Sequence, residues 1–208
     1  MGQRLNIEIY HGGKRIANAY YHWSAYTLSA AELTAEVVDY LLSEGYNSDA
    51  CSDTDNIRWA IRALESTGAG LTEGEKKYIT EEIPELDASS FADAVDRNRG
   101  LIAVSEEGMA ETERWMEEGV TIYLDDRLVD FEVLFGYDSI TEATEFWRED
   151  VAQELMKDIN LLPRIDCNFE NISFEDFDAV AEQLSEIAGT AHGLAYNTNS
   201  ERFIEIIR

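Results

Sequence analysis

Positive charge is what this chain has least of: 16 Lys and Arg stand against 43 Asp and Glu, a formal net of −27 over 208 residues. Self-repulsion on that scale costs stability, and it disfavours DNA, RNA or an anionic membrane as a direct ligand. Cysteine is nearly missing. Cys51 and Cys167 make neither a disulfide framework nor a zinc ligand set. No apolar run approaches the ~18 residues of a membrane span. The opening Met-Gly-Gln-Arg-Leu-Asn has no apolar signal core, and Asn6 stands where a myristoylation pattern needs Ser or Thr. A reducing, cytoplasmic setting is therefore expected. The chain also lacks Gly-x-Ser-x-Gly, a phosphate-binding Walker loop, Gly-x-Gly-x-x-Gly and His-Glu-x-x-His. It contains no internal repeat and no low-complexity linker.

Apolar residues are plentiful. Leu, Ile, Val and Phe number 51, about a quarter of the chain and above the ~20% below which disorder sets in. Leu5, Ile7 and Ile9 alternate with Asn6, Glu8 and Tyr10, then Gly12-Gly13 precedes a second run over 16–21. This predicts a β-hairpin. The aromatic cluster of Tyr20, Tyr21, His22, Trp23 and Tyr26 is expected to pack at the core edge. Ser29-x-x-Glu32 reads as a capping box for a helix with Leu33, Val37, Tyr40 and Leu41 inward and Gly45 as its stop. Further helices are expected over Ile57–Gly68, from Thr72 to Pro84, and over Ser90–Arg97.

The second half is organised around Gly100–Tyr137. A short apolar run, Leu-Ile-Ala-Val, precedes a Glu-rich helix, capped by Ser105 and expected to run to Glu118 with Gly119 as its stop. Met109, Thr112 and Met116 face inward, although Gly108 is an unfavourable residue for its first turn. Strands follow at Val120–Leu124 and Leu128–Phe135 around an Asp125-Asp126 turn. In the later strand Val129, Phe131, Val133 and Phe135 oppose Asp130 and Glu132, a period of two with carboxylates toward water. Ser139 then caps a long helix, Arg164–Phe169 reads as a strand, Ser173 caps a helix with Phe177, Val180, Ala181, Leu184 and Ile187 inside, and 194–197 and 203–207 close the chain. The fold class is α+β: an N-terminal hairpin followed by helices over 1–99, then a small mixed or antiparallel sheet with covering acidic helices over 100–208. The two regions can also form one continuous domain.

Charge is uneven along this order. Residues 1–104 hold 17 acids and 9 bases, residues 105–208 hold 26 and 7. Three predicted helices carry acids opposite their apolar stripes: Glu107, Glu111 and Glu118; Glu142, Glu145 and Glu149; and Glu175, Asp178, Glu182 and Glu186. Side chains three or four apart on a helix stand ~5–6 Å from one another, close to the charge spacing of a nucleic-acid strand. Such rows can stand in for phosphates before an Arg- and Lys-lined groove. Gathered on one surface, they make these ten residues the candidate partner-binding site, with Trp147 or Tyr123 as anchors. The bland alternative is a solvated face. Salt adaptation is another, supported by 12 Arg against 4 Lys but poorly matched by 17 isoleucines.

Rival chemistry rests on few residues. His192 between Gly189 and Gly193, or His22, offers a hydrolase base, and Cys167 a nucleophile. Asp125, Asp126, Asp130 and Glu132 offer hard oxygen ligands for Mg²⁺ or Ca²⁺, though without EF-hand order. No cofactor, metal or catalytic residue is assigned.

The segment Arg-Leu-Asn-Ile-Glu-Ile-Tyr through Tyr-Tyr-His-Trp-Ser-Ala-Tyr-Thr, residues 4–27, resembles uncharacterised proteins of bacterial phages and prophages. Small acidic proteins of that kind are similar in character to anti-CRISPR and other anti-defence inhibitors, several of which occupy a nuclease groove in place of nucleic acid. The resemblance implies a bacterial host cytoplasm and, as partner, a CRISPR effector or another nucleic-acid-binding protein. A phage structural or assembly role is the remaining alternative.

Overall fold

A computed structural model describes residues 4–22, 24, 27–114, 116–133 and 168–182. The hairpin forms as its alternation predicts: β1 (Arg4–His11) and β2 (Lys14–His22) pair antiparallel about Gly12 and Gly13. Both glycines have positive φ, +57° and +70°, which a two-residue hairpin turn requires. After the hairpin come α1 (Thr27–Ser43), α2 (Asp53–Glu65), β3 (Gly70–Leu71), α3 (Glu73–Glu82), β4 (Leu101–Ala103) and α4 (Glu106–Glu113). β5 (Glu118–Tyr123), β6 (Leu128–Glu132), β7 (Asn168–Ser173) and a helix over 174–182, α5, complete the described elements.

The strands form one mixed sheet in the order β3-β4-β2-β1-β5-β6-β7. The hairpin lies at its centre: β4 pairs with β2, and β5 runs parallel to β1. Strands from before and after residue 99 therefore share a single hydrogen-bonded sheet, and the fold class is α+β as expected.

Register decides what each face carries, because residues paired across strands point the same way. One row runs Ala19, Ile7, Val120, Phe131, all buried. The Tyr21 hydroxyl on this face meets Thr67 Oγ1, just past α2, at 2.7 Å, and Phe177 of α5 stands 6.2 Å from Phe131. With Val37, Val38 and Leu41 of α1 and Ile61 and Leu64 of α2 this is the core, each large side chain contributing ~1.5–3 kcal/mol by leaving water. The neighbouring row on the other face runs Asn18, Glu8, Thr121, Asp130. There α4 packs over β2, with Asn18 Nδ2 donating to Thr112 Oγ1 at 2.8 Å. Apolar helices cover one face and α4 lies on the polar one.

Several expected elements shift. α1 is already helical at Thr27, so Ser29 lies inside the first turn and does not cap it. Burial of Ala30 and Ala31 holds that turn against the core instead. Residues 90–97 are not a helix: the Leu71 amide donates to Ala92 O at 3.0 Å and the Ala94 amide to Leu71 O at 2.9 Å, so this backbone bonds to β3 rather than to itself. α4 ends at Glu113, well short of Glu118. The Glu117 amide donates to Arg4 O at 3.1 Å, and Glu118 and Gly119 pair with Leu5 and Asn6, so the edge of β1 takes this segment as strand. Met116, expected inside, is exposed. The predicted strand over 164–169 is found at Asn168–Ser173, and 164–167 lie outside the described residues. So do Phe135, the helix expected after Ser139, Leu184, Ile187 and the closing strands. Ser52, unnoticed in sequence, closes a capping box on α2 with Asp55.

Candidate acidic interface

α1 places Glu32, Glu36 and Asp39 one turn apart on its solvent side, while Ala30, Ala31, Val37, Val38 and Leu41 enter the core. The helix contains no Lys or Arg. α5 repeats the arrangement in a shorter run: Phe177 and Ala181 are buried, and Glu175, Asp178 and Glu182 are exposed. Ser173 caps α5 by accepting from the Asp176 amide at 3.2 Å.

The two helices bring their acids together. The Asp39 carboxyl is raised above its ordinary range by partial burial first, and then by the Asp178 carboxyl, which lies within hydrogen-bonding reach. Partial burial also raises Glu36, with Glu32 one turn away adding to it. Among the described residues no Lys, Arg or His pairs with Glu32, Glu36, Asp39 or Asp178. Glu175 differs: Arg127 Nη2 donates to it, and its own backbone amide, then that guanidinium, hold the carboxyl below its ordinary range. The patch is a like-charge surface that the described residues do not neutralise.

The sequence-predicted rows divide. Glu175, Asp178 and Glu182 are exposed beside α1. Glu107 and Glu111 are exposed on α4, on the opposite face of the sheet. Glu118 leaves the α4 row altogether, half-buried in β5. Glu142, Glu145, Glu149 and Glu186, with Trp147, lie outside the described residues. Tyr123, the other suggested anchor, is half-buried with Tyr10 5.7 Å from it, ring to ring. The α1 acids lie in the half of the chain with the smaller net charge, so composition alone does not single them out. Their signal was present: acids spaced by four and three on a helix without a single base.

The rival residues are occupied within the fold. Asp125 Oδ2 accepts from the Gly12 amide, and its Oδ1 lies 2.6 Å from His11 Nδ1. Asp130 Oδ1 accepts from the Asn171 amide at 2.7 Å. No three His, Cys, Asp or Glu side chains gather as a metal-binding group among the described residues, so the proposed set of Asp125, Asp126, Asp130 and Glu132 does not form. His22 Nδ1 lies 2.9 Å from the Tyr20 hydroxyl. Cys51 is a free thiol, half-buried; Cys167 and His192 lie outside the described residues. No described helix is long and apolar enough to cross a membrane.

A scan against protein-family models and searches of curated proteins and of solved structures find no match to this chain.

Proposed function

We propose that this protein is a non-enzymatic inhibitor that binds a basic, nucleic-acid-binding protein surface, and that the acids of α1 and α5 form the contact. The observation that carries the reading is the meeting of Asp39 and Asp178. Two helices without a base hold carboxyls against one another, at a cost that an Arg- or Lys-lined groove would relieve. Glu32, Glu36 and Glu182 extend the surface to a length over which several phosphates could be imitated. α4 lies across the sheet and would contribute long-range field rather than contact.

A CRISPR effector in a bacterial cytoplasm is the partner class tested first. Titration of the protein into complexes of such nucleases with labelled DNA should release the DNA. Release should weaken steeply with salt, since screening lengths fall from ~10 Å at 0.1 M to ~3 Å at 1 M. The triple variant Glu36→Gln, Asp39→Asn, Asp178→Asn should lose it. Failure to displace nucleic acid from any basic groove would return the carboxylates to the role of a solvated surface.

A further inference from the structure

α1 sets an aromatic ring among its surface acids. Tyr40 stands one turn on from Glu36 and next to Asp39, and with Leu42, Ser43 and Ser66 these residues line an open cleft of about 700 Å³. The ring is half-buried and braced from α2: Trp59 lies 6.1 Å from it at a tilt of 59°, and Tyr46 meets Trp59 edge-on at 5.4 Å. The Ser66 hydroxyl lies 2.6 Å from Ala63 O and 3.1 Å from Glu36 O, which ties the end of α2 to α1 beside the cleft.

The electrostatics of this cleft have one sign. No Lys, Arg or His lines it. Glu36 and Asp39 are exposed, and both carboxyls are raised by partial burial and then by an acidic neighbour, Glu32 for the first and Asp178 for the second. Burial raises the Tyr40 phenol, and Glu44 and Glu65 add to that from beyond the wall. Among the described residues Arg62 is the base that reaches the ring. Its guanidinium is already engaged by Glu65 at 2.7 Å and Ser90 O at 2.8 Å, and lies 4.8 Å over the Phe91 ring.

Carboxylates beside a fixed aromatic ring discriminate among cations. An ammonium is compact and strongly hydrated, so a carboxylate alone satisfies it. A guanidinium is planar and weakly hydrated, and it can stack on the ring while its fork donates to the acids. We infer that the α1 cleft is an arginine pocket: an arginine side chain of the partner stacks its guanidinium on Tyr40 and donates to Glu36 and Asp39, with the Ser66 hydroxyl as a further acceptor. The inference rests on the proposed function, and adds that the basic partner is read by arginine rather than by positive charge alone.

Fluorescent nona-arginine and nona-lysine, equal in charge, are the two probes, titrated into the full chain at low salt and followed by anisotropy and by amide chemical shifts. Nona-arginine should bind about threefold or more tighter and move the amides of Glu36, Tyr40 and Ser66. Tyr40→Leu should bring the two peptides within about twofold of each other, and Tyr40→Phe, which keeps the ring, should keep the preference. Should Tyr40→Leu not fold, the wild-type preference and the place of the shifts decide alone. Equal affinity for the two peptides, shifts that bypass Tyr40 and Ser66, or a preference that survives Tyr40→Leu would overturn the arginine pocket and leave the acidic interface standing. Failure of both peptides to bind would remove both.

Discussion

Glu75 and Ser105 hold α3 to α4 through a buried carboxylate and a helix-capping hydroxyl 2.6 Å apart. Thr72-x-x-Glu75 has the sequence of a capping box, and Thr72 does accept from the Glu75 amide at 3.3 Å. The Glu75 side chain, however, turns away from its own helix to take the amides of Val104 and Ser105. Ser105 Oγ in turn accepts from the Gly108 amide at 3.0 Å, so one carboxylate steadies the start of the next helix. Glu75→Ala would leave these donors buried without a partner, and should lower unfolding free energy by about 2–4 kcal/mol. Glu73→Ala, exposed two residues away, should stay within about 0.5 kcal/mol. Urea denaturation of both variants provides the comparison.

Gly108, a poor residue for a first helical turn, is explained by the same contact. A Cβ there would stand 2.1 Å from Glu75 Oε1, and that oxygen is fixed by its bond to Ser105. Gly108→Ala should therefore destabilise by about 1–3 kcal/mol despite alanine's better helix propensity. In the background of Glu75→Ala the cost should shrink or reverse, a coupling that a double-mutant cycle measures directly.

Acid on the α1–α5 surface has a signed pH consequence. Asp39 and Glu36 have folded pKa values raised by burial and by their acidic neighbours. Such groups contribute stability below the unfolded carboxylate pKa, and lose it as pH rises through the folded one. Asp39→Asn should thus be more stable than wild type at neutral pH, with the gap closing on acidification through the raised carboxylate range. The effect should be under about 1 kcal/mol because solvent screens this half-open site. Asp55 and Glu175 work the other way: their lowered values give stability above the unfolded pKa, lost as pH falls. Urea midpoints against pH for wild type and Asp39→Asn test the sign.

The docking of α5 depends on Phe177 against Phe131, both fully buried. Phe177→Ala should cost about 3–5 kcal/mol. If α5 detaches without global unfolding, hydrogen exchange should rise over 174–182 while β1 and β2 stay protected.

Local signals were the legible part of the sequence. The hairpin, α2, α3 and the β5–β6 pair all follow from period-two or period-3.6 patterning and from turn and cap residues. What was lost was decided at a distance. Glu118 and Gly119 look like a helix end, but pairing with Leu5 and Asn6 more than a hundred residues earlier makes them strand. Residues 90–97 have helix-compatible composition, yet β3 claims their backbone. The candidate interface suffered likewise. Glu175, Asp178 and Glu182 are exposed, as their spacing opposite the apolar stripe implies, but Asp39 beside Asp178 lies far away in sequence, and whether the α4 row shares their surface is decided only by register, which puts it on the other face. Arg97 lies beside His22 only because β4, just after it, pairs antiparallel with β2, a long-range pairing that local sequence does not signal.

Gathered against scattered charge is the deciding contrast, and it can be measured with a fluorescent arginine-rich peptide by anisotropy at low and high salt. Two variants each remove three carboxylates: Glu36→Gln, Asp39→Asn, Asp178→Asn on the α1–α5 surface, and Glu106→Gln, Glu107→Gln, Glu111→Gln on α4. The first set should weaken binding about tenfold or more and flatten its salt dependence, while the second should leave affinity within about twofold. Equal weakening by the two sets, or binding indifferent to salt, would contradict an interface built where α1 meets α5.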